Sequence, residues 1–493
     1  MFRAFWLKFC KDAGGKRQEE IRNMKIVIVG DGKVGYTLTE QLSKEGHDIV
    51  VIDSNKQVLQ ESVETLDVMV VHGNGASLKV QKQADVGDCD LVIAATSADE
   101  INILCCIIAR KLGCAHTIAR MRNPEYAEQL FFLKEELGLS MTINPERTAA
   151  SEIFRLLQFP SFLKRDSFAK GRVEIVEIVL REGNILNDKH LSEMYKIAGV
   201  RVLVCAVERG DGVFIPDGNF QLKQGDKIYV TASAADLATL IRNLHIESRR
   251  VRDIMIIGGS TIAYYLAADL LDIGVDVKLI ETKPERCRTL AEKLPKAEII
   301  NADGSSQAVL LSEGIEKTDA VVTLTNMDEE NLLISMYANH IGVPKVVTKI
   351  NRTEYSEVFR DKGIDCVISP KLLTANDIVR YVRAMQNTTG GSVLTLHRIV
   401  DNKVEALEFR VTETTRHLGE TLLQITLKPN ILLACINRYG KIIIPKGEDT
   451  IELNDTVIVV TTADQTIYDL NDIFDDKIEA SDYEYTINDQ YIV

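Results

Sequence analysis

Short runs rich in β-branched residues alternate along this chain with helical segments, and the alternation sets the fold class before any single residue is considered. After Met24 the strands read 25–29, 48–52, 68–71, 91–95, 116–120 and 141–143, with helices beginning near Gly35, Lys56, Ser77, Asp99 and Pro124. Strands separated by helices of about ten residues need right-handed crossovers, which builds a parallel sheet covered on both faces. The prediction is α/β, a Rossmann-like doubly wound parallel sheet. Farther on, runs at 200–208 and 226–231, joined by Gly-Asp-Gly and Gln-Gly-Asp turns, predict a small α+β module. A helix at 146–157 connects the two parts and is amphipathic, suited to pack across to a partner subunit.

The whole pattern then recurs. Gly30 aligns with Gly258 and Asp53 with Glu281, 228 residues apart, while Gly75 with Gly304, Tyr126 with Tyr355, Pro216 with Pro445 and Asp226 with Asp455 lie 229 apart. An offset this constant marks a duplication. The connecting helix recurs at 371–383. The domains are expected at 24–157 and 252–383 for the Rossmann-like units and at 165–247 and 392–475 for the small modules. An acidic tail, 476–493, follows. Residues 1–23 lie outside the repeat. Arg3 and Lys8 interrupt their apolar residues, so an upstream start before Met24 is preferred to a signal peptide or a membrane-touching helix.

Composition narrows the partners. A chain of 493 residues exceeds the roughly 250–300 at which single cores stop growing, in line with several domains. A formal charge of −14 opposes broad attachment to nucleic acid or anionic lipid. No stretch approaches the ~20 apolar residues of a membrane-spanning helix. Nine cysteines without paired spacing fit a reducing cytoplasm, and Cys105 and Cys106 fall in an apolar helical run where burial is expected. His47 and His72, near strand edges, are expected at the surface. No zinc-like cluster of Cys and His occurs, and no metal is expected.

The candidate chemistry sits where the first strand enters its helix. Gly30-Asp31-Gly32-Lys33-Val34-Gly35 is a dinucleotide fingerprint in the strand–turn–helix context that gives it meaning. Gly30 permits the turn, Gly32 lets a pyrophosphate approach the backbone, and Gly35 lets the helix pack on the strand. Asp53, ending the second strand, is placed to accept hydrogen bonds from an adenosine ribose and would repel a 2′-phosphate, favouring NAD or an adenine nucleotide over NADP. Asn74 and Gly75 end the third strand, Thr96 and Ser97 the fourth, and Arg120 with Arg122 the fifth. Carboxyl ends of parallel strands line one crevice, so these residues join the site, the arginines facing phosphate. In the second copy the fingerprint reads Gly258-Gly259-Ser260-Thr261-Ile262-Ala263. Alanine at the third glycine position is tolerated, but serine at the second is a departure. Glu281, Asp303, Thr325 and Asn326 remain, and Lys349 replaces Arg120, leaving open a weaker nucleotide site or a structural remnant.

The doubled order of Rossmann-like unit and small module, with this fingerprint, Asp53, the segment 73–77, the segment 95–102 and Ile215-Pro216 repeated as Ile444-Pro445, resembles the TrkA family of regulatory subunits of Trk-type potassium uptake systems. The resemblance covers Met24 to about Leu470. It implies tandem RCK domains, NAD(H) with ATP or ADP at the same crevices, and no catalysis. It also implies a ring of RCK domains, most simply a homotetramer, docked on the inner face of the cell membrane through a potassium transporter. Two other readings compete. A nicotinamide-dependent oxidoreductase shares the fingerprint but would need a positioned acid or base, and no Tyr-x-x-x-Lys occurs. A structural adaptor that has lost its ligands conflicts with the intact first fingerprint.

Overall fold

The computed structural model describes residues 23–475 apart from 125, 127–133, 135, 159–164, 169–172, 211, 247–250, 353–363, 365, 388–392, 401–402, 466 and 468. The expectations for residues 1–22, the acidic tail, the Tyr126–Tyr355 correspondence and most of the helix near Pro124 lie outside the described residues or rest on residues that do. Two compact units make up the chain, one built on the first Rossmann-like sheet and one on Met121–Gln129 together with everything from Ile143 onward.

In the first unit the elements are β1 (Lys25–Val29), α1 (Lys33–Lys44), β2 (Asp48–Asp53), α2 (Lys56–Thr65), β3 (Met69–His72), α3 (Leu78–Gln83), β4 (Leu91–Ala94), α4 (Asp99–Leu112), β5 (His116–Arg120) and the edge strand β6 (Met141–Ile143). The sheet order is β3-β2-β1-β4-β5-β6, with β1 parallel to both β2 and β4. The chain thus winds outward in one direction from β1 and then in the other from β4, as the alternation predicts. Ile26, Val27 and Ile28 of β1 are fully buried because helices cover both sheet faces, and such strands read as continuous β-branched runs. Cys105 and Cys106 of α4 are also fully buried, and burial pushes the Cys105 thiol up to about 12. His47 corrects the sequence expectation. It is buried, 6% exposed, with its Nδ1 accepting the N–H of Met24 at 3.4 Å, whereas His72 is exposed.

The second unit begins with α5 (Pro145–Gln158) and the first small module. The module comprises β7 (Arg165–Phe168), β8 (Val173–Val179), α6 (Met194–Ala198), β9 (Leu203–Arg209), β10 (Gly212–Phe214), β11 (Lys227–Ser233) and α7 (Ala234–Asn243). Its sheet is antiparallel, in the order β10-β9-β11-β8-β7. The second Rossmann-like sheet follows as β12 (Asp253–Ile257), α8 (Thr261–Asp272), β13 (Asp276–Glu281), α9 (Pro284–Lys293), β14 (Glu298–Asn301), α10 (Gln307–Ser312), β15 (Ala320–Thr323), α11 (Asp328–His340), β16 (Lys345–Lys349) and β17 (Val367–Ile368). Its order, β14-β13-β12-β15-β16-β17, repeats the first. Helix α12 (Pro370–Asn387) leads to the second module, with β18 (Val393–Ile399), β19 (Val404–Arg410), β20 (Ile431–Arg438), β21 (Lys441–Ile443) and β22 (Thr456–Thr462).

The apolar face of α5 meets this same chain. Ala149, Ala150, Ile153, Leu156 and Leu157 share one core with Leu266, Ala267 and Leu270 of α8, and Leu373 of α12 packs against that core. Arg147 of α5 reinforces the contact by donating to Asp269 of α8 at 3.0 Å. Helix α5 therefore covers within the chain the amphipathic stripe that the sequence reading leaves available to a partner subunit.

The repeated Asp226 and Asp455 have one shared reason to persist. Each is 1% exposed; Asp226 takes two hydrogen bonds at 2.7 Å from Arg209, and Asp455 is held by Arg438 at 3.0 and 2.9 Å. Each carboxylate also accepts the backbone N–H three residues before it, Lys223 at 2.8 Å and Glu452 at 2.9 Å, which closes the turn into the last long strand. A buried carboxylate needs such a full set of partners.

Candidate functional site

The loop between β1 and α1 is shaped by its glycines. Gly30 has φ +95°, a left-handed conformation that side chains resist, and it donates its N–H to Ile52 at 2.8 Å. A Cβ on Gly35 would lie 1.8 Å from the carbonyl oxygen of Gly30, so only glycine allows α1 to start this close to the turn. Gly32 is different. It is the N-cap of α1, exposed and extended, with no side-chain capping bond, and a Cβ there would meet nothing within 4 Å. No acidic residue lies in the first turn of α1, whereas α4 has Asp99 and Glu100 and α11 has Asp328, Glu329 and Glu330. The first-turn N–H groups of α1, at the positive end of the helix dipole, thus have neither a side-chain cap nor an acidic side chain beside them, an arrangement suited to a phosphate. Lys33 is exposed beside them, while Val34 faces the core at 7% exposure.

Asp53 stands at the end of β2, half-buried. Its carboxylate accepts the N–H of Asp31 at 2.7 Å and that of Asn55 at 2.7 Å, one on each oxygen. Each oxygen keeps a further lone pair, so ribose hydroxyls can still be accepted while the acid holds the glycine loop in place. The side chain of Asp31 turns inward, 2% exposed, and accepts the hydroxyl of Ser62 at 2.6 Å. Burial pushes its carboxyl above the usual range despite that bond, and the side chain is engaged with Ser62 of α2.

The remaining strand ends divide by role. A Cβ on Gly75 would sit 2.1 Å from Cγ1 of Val29, so this glycine lets the loop lie against β1. Asn74 is exposed and closes its own turn by accepting the N–H of Ala76 at 2.9 Å. Thr96 is fixed by the last residue of the segment 95–102, to which the sequence reading gives no role in the site. Asn102, fully buried in α4, accepts the N–H of Thr96 at 2.8 Å and its hydroxyl at 2.7 Å, and donates to the carbonyls of Thr96 at 3.2 Å and Arg120 at 2.9 Å. One amide therefore ties the ends of β4 and β5 together. Ser97 is exposed beside it, and Arg120 is half-buried at the end of β5. Gly30 to Gly35, Asp53, Asn74, Gly75, Thr96, Ser97 and Arg120 all belong to the carboxyl ends of the first sheet. Arg122 belongs to the second compact unit, where it donates to Glu146 of α5 at 2.8 Å.

The second sheet repeats this scaffold with altered contents. Gly258, φ +98°, donates to Ile280 at 2.9 Å, and Glu281 accepts the N–H of Gly259 at 2.7 Å and that of Lys283 at 2.8 Å, reproducing the clamp made by Asp53. Asn331 repeats Asn102, accepting the N–H of Thr325 at 2.9 Å and donating to the carbonyl of Lys349 at 3.0 Å. The Thr96–Asn102 spacing recurs as Thr325–Asn331, and that repeat was the signal for both asparagines. Asp303 closes a turn on Ser305, whose hydroxyl at 2.7 Å and N–H at 2.9 Å hold its carboxyl below the usual range. Asn326 is exposed, and Lys349 is 6% exposed. Ser260 caps α8 itself, its hydroxyl accepting the N–H of Ala263 at 3.3 Å, and Arg286 of α9 donates to the carbonyl of Gly259 at 2.6 Å.

Among the described residues no group of three His, Cys, Asp or Glu side chains could hold a metal ion, and no helix is long and apolar enough to cross a membrane. Two dinucleotide-type sheets, each joined to a small antiparallel module, define a tandem nucleotide-fold architecture. The TrkA-N domain model matches residues 26–145 and 254–370, and the TrkA-C domain model matches 175–245 and 406–474. The Trk system potassium uptake protein TrkA homolog of Archaeoglobus fulgidus is 31% identical over 92% of this chain and 100% of its own length. The Trk system potassium uptake protein TrkA of Halomonas elongata is 30% identical over 92% and 98%. The chain belongs to the TrkA family. The names of these relatives are those of a transport-system protein and not of an oxidoreductase. Among solved structures, the GsuK RCK domain matches with a TM-score of 0.60 at 19% identity, covering 93% of this chain and 97% of that one. The GsuK channel bound to NAD matches at 0.59 and 19%, covering 94% and 81%. At that identity these two establish the shared fold.

Proposed function

We propose that this chain is a cytoplasmic regulatory subunit that binds NAD(H), or ATP or ADP, and thereby gates potassium uptake through a membrane Trk-type transporter. The observation that carries the reading is the uncapped N-terminus of α1 at Gly32, open to solvent, in a chain of the TrkA family. The names of its relatives, and the NAD-bound state of the structurally similar GsuK channel, support the same direction.

In this reading the first-turn N–H groups of α1 and Lys33 receive the pyrophosphate, Asp53 accepts the ribose hydroxyls, and Arg120 stands at the phosphate side. Gly75, Thr96 and Ser97 form the floor and rim. The chain's own contribution is to hold these groups in place before the ligand arrives, through the Asp53 clamp and the Asn102 tie. A nucleotide shifts such an assembly only by binding one conformation better than another. A tenfold preference supplies about 1.4 kcal/mol per site, and coupled sites in a homo-oligomeric ring, with a tetramer as the proposed form, sum these increments. The site of action is the inner face of the cell membrane, reached through the transporter.

The test is capture of the tagged chain from gently solubilised membranes of its source, with and without NADH or ATP. Recovery of a multi-spanning potassium transporter in a nucleotide-dependent amount is the expected result. Repeated recovery of no membrane protein would overturn the regulatory reading.

A further inference from the structure

The two crevices share a scaffold and differ at the point where a pyrophosphate would sit. In both, the first glycine bonds back to β2 or β13, and the acid at that strand's end clamps the next N–H of the loop. In the first, the N-cap is Gly32, which bears no side chain and faces open space. In the second, the N-cap is Ser260, whose hydroxyl already accepts the N–H of Ala263. A phosphate oxygen seeking that N–H must displace the hydroxyl, and Cβ and Oγ of Ser260 occupy space that Gly32 leaves empty. Capping of this kind stabilises a helix end, so the displacement works against binding.

A second departure acts on the same cradle. A methyl at Gly35 would lie 1.8 Å from the oxygen of Gly30, yet Ala263 carries that methyl at the matching place. The first turn of α8 must therefore stand farther from Gly258 than α1 stands from Gly30. The N–H groups that would converge on a pyrophosphate are set back and one is already taken. The loop itself is crowded. A Cβ on Gly259 would come 2.7 Å from Leu290 and 3.0 Å from the carboxylate of Glu281, and Arg286 occupies its carbonyl.

We infer that the chain takes one pyrophosphate-bearing nucleotide, in the first crevice, and that Ser260 and Ala263 close the second to ligands of that class. The second sheet then serves as the packing partner of α5 and as the mount for the second module. This inference rests on the nucleotide-binding reading above and specifies it.

Isothermal titration of the full-length chain with NADH tests both. One site per chain is expected for the natural protein, none for Gly32→Asp, and two for the double variant Ser260→Gly/Ala263→Gly. Two sites in the natural chain, or a single site that survives Gly32→Asp, would overturn the inference and leave the nucleotide-binding reading standing. No binding by the natural chain overturns that reading and the inference with it. Should the double variant fail to fold, Gly32→Ser transplants the cap into a position with free space. It should weaken NADH binding at least tenfold, and unchanged affinity would refute the role given to the cap.

Discussion

At Gly32 an added Cβ would meet nothing within 4 Å, which makes this residue a clean probe of the site. Gly32→Asp should leave the ligand-free melting temperature almost unchanged and remove the rise produced by NADH. At about 100 times its dissociation constant the ligand adds ~2.7 kcal/mol to stability, a shift readily seen in a thermal melt. A variant that keeps the shift would place the nucleotide elsewhere. Its neighbour Asp31 behaves in the opposite sense. Burial raises its carboxyl above the ordinary 3.8, so the folded state favours the protonated form. The associated stability is fully present below the unfolded value and is lost as pH rises through the folded one. Asp31→Asn, which keeps an acceptor for Ser62, should therefore gain stability relative to the natural chain on going from about pH 4 to about pH 7.5. Parallel curves across that range would show that the carboxyl is not strained. Sequence reading placed Asp31 in the site by its position in the fingerprint. Only the fold reveals that its side chain points away, because burial depends on where α2 brings Ser62. The same limit applies to the third glycine position. Alanine is acceptable there in general, and the 1.8 Å approach at Gly35 shows that it is not acceptable in this first crevice.

At the scale of elements, the strands were legible because parallel strands buried on both faces carry uninterrupted β-branched runs. β1, β5 and β6 fall where the pattern puts them, and β2 runs one residue farther, to Asp53. The connecting helix, expected over 146–157, spans Pro145–Gln158. What the pattern could not show is how neighbouring strand ends are fixed to one another, because that depends on a polar side chain in a helix interior. The repeated spacing from Thr96 to Asn102 and from Thr325 to Asn331 marks both asparagines in the sequence, but it does not show that one amide bridges two strand ends. Removing the amide of Asn102 leaves the part-buried N–H of Thr96 and carbonyl of Arg120 without this partner, at a cost of roughly 1–3 kcal/mol. Asn102→Ala should lower the urea midpoint and also weaken NADH binding, since Thr96 and Arg120 lose their register. Asn331→Ala should cost similar stability and leave NADH affinity as it was. Equal loss of affinity in both variants would contradict a single functional crevice.

At the scale of the molecule, the duplication supplies both sides of a contact that a single copy would have to find in another chain. In the second unit the two small sheets meet through one core, with Phe168, Ile175, Cys205 and Ala206 from the first module and Val404, Ala406, Leu432, Ala434 and Cys435 from the second. Alternation along β8 explains how one strand serves two cores. Val173 and Ile175 face this seam, while Val176 and Ile178 face the module's own helix α7 with Leu237 and Leu240. Small residues at 206 and 434 let the sheets approach, and the gap at the edge is filled by Phe168, 1% exposed, its ring 4.3 Å from that of His397 in the other module. A seam of this kind makes the modules thermodynamically one body, because neither can open without exposing apolar surface on the other. Phe168→Ala removes a large buried side chain and should cost about 3–5 kcal/mol. The informative readout is where the loss appears. Hydrogen exchange should quicken in β19, β20 and β22 of the second module as much as in β8 and β9 of the first, although the substitution lies in the first alone. Faster exchange confined to β8 and β9 would mean that the modules open independently, and a duplicated chain would then carry two separate modules in place of one shared body.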